Sequence, residues 1–134
     1  MEIKRIILEQ LLLEKRIGQI SANITISFDL HQTAHSDKQK YRHKDSGGRI
    51  ITNSDLTNVV NRAKNEIAFN IINGEIVDNI DFVITDETSD KKISLALVPK
   101  ELTPYHWNLV IRTVFSAHRG DPFRVGRNQL QIKI

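Results

Sequence analysis

The sequence predicts an α+β fold, and three observations predict it. Between Leu56 and Ile71 apolar residues recur at helical spacing, as Leu56, Val59, Val60, Ala63, Ile67 and Ile71. From Ile80 onward the period changes to two, through Ile80–Asp86, Ile93–Val98, Trp107–Ser116 and Leu130–Ile134. A further alternating stretch, Ile24-Thr-Ile-Ser-Phe28, precedes the helical part. Helices followed by hairpin-linked strands favour a four-stranded antiparallel meander, with the helices packed on one face of the sheet and the other face free for a ligand.

The elements follow in order. Glu2 to Ile17 reads as an N-terminal helix: Ile3, Ile7 and Leu11 share a stripe, strong helix formers fill the rest and Gly18 follows the last turn. Leu8, Leu12 and Leu13 widen its apolar face, so it must pack on this domain or on a partner chain. The expected organisation is an N-terminal helical extension over 1–20 and a single α+β domain over 21–134. Leu30 to His43 is expected as a helix, closed by the turn residues Asp45-Ser-Gly-Gly48. For the long helix, Ser54 is the expected N-cap and Asn73-Gly74 the left-handed stop. Asp86-Glu-Thr-Ser-Asp90 and Leu102-Thr-Pro104 suit turns between the later strands.

A chain of 134 residues suits one domain with a real core. No stretch approaches the roughly 20 apolar residues that span a bilayer. The apolar start is broken by Glu2, Lys4, Arg5, Glu9 and Glu14 and has no small-residue cleavage site. A cytoplasmic protein without a membrane partner is therefore expected. The absence of cysteine excludes a disulfide scaffold, a thiolate metal site and a thiol nucleophile. The net charge of +3 says little, but its distribution is uneven. Glu66 to Asp90 holds seven acidic residues and no Lys or Arg. Lys38, Lys40, Arg42, Lys44 and Arg49 crowd the histidine block, and Arg112, Arg119, Arg124, Arg127 and Lys133 crowd the tail. Brought together, these stretches would make one positive surface with the acidic residues elsewhere. The alternative is scattered surface charge.

The run from His31 to Lys44 carries the best clue to chemistry. On a helix, His31, His35, Lys38 and Arg42 line one face at spacings of four, three and four. Imidazoles that titrate near neutral pH beside fixed cations suit a phosphodiester, or form a plain solvated surface. Zinc is not expected: His31 and His35 have no Glu between them and no third ligand is marked, and Gly47-Gly48 is no phosphate loop. Cleaving RNA through its 2′-hydroxyl needs a base, an acid and positive charge at the phosphorane. The candidates are His31, His35 and His118 for proton transfer, and Arg42 and Arg112 for the phosphate. Arg112 sits mid-strand and points opposite to Ile111; if Ile111 packs under the helices, Arg112 reaches the free face. The segment Ala117–Arg127 reads as a basic loop that grips a nucleic-acid backbone, or as a long solvated connection. Tyr41 and Tyr105 are placed to stack bases, whereas Trp107 and Phe123 suit core or loop-anchor roles.

His35-Ser-x-x-Gln39-x-x-Arg42 is similar to the His-Ala/Ser-x-x-Arg-x-x-Arg pattern of the RelE/barnase-like ribonucleases. That group includes the RegB-type phage endoribonucleases and small toxin nucleases. The order of elements over residues 24–134 also resembles theirs, as does the mid-helix Ala63. Gln39 stands where the pattern has a cation, and residues Glu2–Ile17 are an addition. The resemblance implies a phage-type, toxin-like, metal-independent endoribonuclease that needs no cofactor. His35 and His118 would be acid and base, while Lys38, Lys40, Lys44, Arg119, Arg124 and Arg127 would place the RNA. The rival expectation is a non-enzymatic binding or assembly module, a virion or regulatory protein. Its N-terminal helix would dock on a protein partner or a second copy. An antitoxin-like inhibitor that uses its basic tail on an acidic partner is a third.

Overall fold

A computed structural model of the chain describes residues 2–17, 20–42, 50–88, 92–116, 125–126 and 128–134. The elements are β1 (Glu2–Ile17), β2 (Ile20–Gln32), α1 (Ala34–Arg42), α2 (Asn53–Ile72), β3 (Phe82–Thr85), β4 (Ile93–Thr103), β5 (His106–Ser116) and β6 (Gln131–Lys133). The class is α+β. All six strands join one mixed sheet in the order β1-β2-β5-β4-β3-β6.

Three expectations are corrected by these elements. Glu2–Ile17 is a strand, not a helix, and pairs antiparallel with β2 from Arg5↔Asp29 and Ile7↔Ser27 to Ile17↔Ile20. Its apolar residues satisfy either period; the alternating, β-branched β2 beside it offers a hairpin partner, and pairing overrides helix propensity. The second correction concerns β2, which runs on to Gln32 so that the following helix begins only at Ala34. Leu30 and His31 continue the alternation in-and-out, and β2 holds β5 in parallel from Ser27↔His106 to Gln32↔Ile111. The third is the meander, which has three antiparallel strands, β3, β4 and β5, rather than four. The connection from Ser116 to Gln131 is long enough to cross back, so β6 lies parallel to β3 at the far edge.

The core lies between α2 and one face of the sheet. Leu56, Val59, Val60, Ala63 and Ile67 meet Phe28, Leu30, Ile84, Leu95, Leu97, Leu109 and Ile111, all at 1% exposure or less. Each large side chain contributes roughly 1.5–3 kcal/mol by leaving water, so α2 cannot lift off without losing most of the core. Thr52, not Ser54, caps this helix. Its hydroxyl accepts from Asp55 N–H at 3.2 Å while the Asp55 carboxylate accepts from Thr52 N–H at 2.9 Å, a reciprocal capping box. Gly74 supplies the left-handed stop at φ 75°. The flank of α2 is fixed by Arg62, which donates to the buried Asp86 carboxylate at 2.6 Å just beyond β3. Trp107 is buried and its indole N–H donates to the Pro104 carbonyl at 3.2 Å, closing the β4–β5 turn.

The expectation of both helices on one face holds for α2 alone. Among the described residues α1 adds no side chain to the core, because Ala34-His-Ser-Asp-Lys-Gln-Lys-Tyr-Arg42 has no aliphatic stripe to bury. No helix among the described residues is long and apolar enough to cross a membrane.

Candidate functional site

Alternation along β5 assigns its residues to two faces. Trp107, Leu109 and Ile111 enter the core; His106, Asn108 and Val110 face away from α2. Leu97 pairs with Ile111 but Ala96 with Thr113, so Arg112 is the extra residue of a β-bulge. Its side chain is 61% exposed and ion-paired with Asp81, the residue before β3. Arg112 thus reaches the face opposite the core. Of the acidic stretch, Asp81 lies against Arg112 and Asp86 against Arg62.

Helix α1 is bound to β5 on both sides of this bulge. Thr33 N–H donates to the Ile111 carbonyl at 3.1 Å, and Val114 N–H donates to Gln39 Oε1 at 2.7 Å. The cause is local. β2 stops at Gln32, leaving the next stretch of the β5 edge without a strand, and an amide oxygen on α1 takes the vacant position. A cation at position 39 could not accept that bond, which accounts for glutamine there. Thr33 starts the helix as its cap: its hydroxyl accepts from Ser36 N–H at 3.0 Å, and the buried Ser36 hydroxyl donates to the Thr33 carbonyl at 2.9 Å.

The predicted site residues divide accordingly. His35 and Lys38 are exposed on α1, the helix attached to β5 on both sides of the bulge that carries Arg112. Arg42 ends α1, with its side chain outside the described residues. His31 leaves the proposed helical row altogether, since it lies on β2 opposite Val110; its Nε2 is buried with no hydrogen-bond partner among the described residues. Lys40 is 6% exposed and is a structural cation. Its ammonium sits 2.7 Å from Asp37 and donates to Asn53 Oδ1 at 2.5 Å, tying α1 to the start of α2. Lys44, His118, Arg119, Arg124 and Arg127 lie outside the described residues.

One pair escaped the reading of the sequence. Asp29 on β2, with its side chain 8% exposed, lies 2.8 Å from Nε2 of His106 on β5, 30% exposed. The signal was present: Thr25, Ser27, Asp29 and His31 continue the polar half of the alternation past Phe28. Comparison with family models, characterised proteins and solved structures finds no match to this chain.

Proposed function

We propose that this protein is a metal-independent endoribonuclease that cleaves RNA by attack of the 2′-hydroxyl. The observation that carries the reading is the double attachment of α1 to β5, at Ile111 and Val114, which fixes the helix bearing His35 to the strand bearing Arg112. An imidazole and a guanidinium from distant parts of the chain are thereby held on neighbouring rigid elements. In the reaction one histidine, His35 or His118, takes the 2′-hydroxyl proton as the oxygen attacks phosphorus. The other returns a proton to the departing 5′-oxygen, leaving a 2′,3′-cyclic phosphate and a 5′-hydroxyl. Arg112 and Arg42 hold the phosphorane, whose charge a planar guanidinium meets with two N–H groups. Lys38 guides the RNA backbone towards them.

The test is cleavage of a mixed-sequence RNA in excess EDTA. Wild type is expected to yield 2′,3′-cyclic phosphate ends, and His35→Ala and Arg112→Ala to slow cleavage by about a hundredfold or more with the melting curve unchanged. Full activity in both variants ends the proposal.

A second reading, an assembly module, is favoured by the position of β1, a 16-residue strand at the edge of the sheet. Long edges invite pairing with another chain. An oligomer by sedimentation together with no RNA cleavage would select this reading.

A further inference from the structure

We infer that the hairpin end of β5 is a nucleobase subsite, formed by Ser27, Tyr105, His106 and Asn108; it rests on the ribonuclease reading and adds a second point of substrate contact. Ser27 and His106 are register partners, as are Asp29 and Asn108, so these two pairs lie together on the sheet face turned away from α2. Asp29 fixes the histidine. A carboxylate accepts only, so Nε2–H donates to it at 2.8 Å, and Nδ1 is the ring nitrogen outside that bond. The Ser27 hydroxyl and the Asn108 amide make no hydrogen bond within the described residues. The cluster therefore offers a hydroxyl, an amide with both donor and acceptor, and a second imidazole nitrogen. Nucleobase edges are read by mixed donors and acceptors of this kind. Tyr105, 57% exposed, ends the turn that leads into His106, within chain reach of a base held by the cluster.

Position along the strand gives the subsite its role. His106 and Arg112 share β5 six residues apart, about 20 Å at roughly 3.3 Å per residue. One nucleotide does not bridge that span. The base held here belongs to a nucleotide several positions removed from the scissile phosphate, and the exposed Lys100 is the register partner of Asn108 on β4. Were the Asp29–His106 pair only a tie between β2 and β5, removing Asn108 or Tyr105 would leave RNA binding untouched.

The experiment measures binding of 2′-O-methyl RNA, which cannot be cleaved, by fluorescence anisotropy. Asn108→Ala and Tyr105→Ala are each expected to weaken a hexanucleotide by about tenfold and a dinucleotide hardly at all. In cleavage of natural RNA the loss should fall on KM rather than kcat. Both side chains are at least partly exposed, so the fold should survive, and a melting curve checks it. Unchanged hexanucleotide affinity in both variants, with wild type cleaving RNA, overturns the subsite alone. A wild type that neither binds nor cleaves RNA overturns the ribonuclease reading, and the subsite with it.

Discussion

Gln39 and Lys40 exchange the roles that their chemistry suggests. The neutral amide occupies the position at which the ribonuclease pattern has a cation, and the adjacent cation is buried against Asp37 and Asn53. Gln39→Leu removes the acceptor for Val114 N–H and leaves a half-buried donor unpaired. It is expected to lower stability by about 1–3 kcal/mol, read as a lower urea midpoint with unchanged slope. Arg112 presents a different competition, since Asp81 and a phosphate would claim the same guanidinium. An exposed pair of this kind is worth at most about 1 kcal/mol. Asp81→Asn should therefore tighten RNA binding by up to about fivefold at low salt and by less as salt rises, measurable as a salt-dependent Kd. A weaker complex would show that Arg112 needs Asp81 to hold it in position. Only Lys40–Asp37, three residues apart on α1, is a pair that spacing shows; the others join residues distant in sequence.

At the level of elements, the regular periods were read well and their ends were not. The stripe from Leu56 to Ile71 predicted α2, and alternation predicted the four later strands to within a few residues. The β1 segment was misread because Ile6, Ile7, Leu8, Leu11, Leu12 and Leu13 fit a helix in isolation, and only β2 decides otherwise. His31 was placed on a helix because the alternation was followed only to Phe28, although Leu30 and His31 extend it. The cap of α2 was placed two residues late for a similar reason: serine and threonine are both good caps, and the carboxylate of Asp55 selects Thr52. Thr52→Ala should cost about 1 kcal/mol in a thermal or urea melt, and Ser54→Ala close to nothing. Equal losses would contradict the capping box.

For the whole molecule, the two helices take different positions on the sheet. α2 covers one face of the sheet and supplies the helical half of the core, which frees α1 to serve as a bracket on the edge of β5. Half of the central requirement was legible in the sequence, since Arg112 could be assigned to the face opposite Ile111 from alternation alone. The other half was not, because where α1 docks depends on β2 ending at Gln32 and on one glutamine side chain. The Asp29–His106 pair likewise arises only when β2 and β5 lie in parallel register, a long-range pairing that local pattern cannot fix.

The most direct test of the claim that α1 and β5 build one catalytic site is a double-mutant cycle on RNA cleavage with His35→Ala and Arg112→Ala. Groups acting on the same phosphate are expected to be strongly non-additive, so the double variant should lose little more than the worse single variant. Losses that simply multiply, or a double variant as active as wild type, would contradict it.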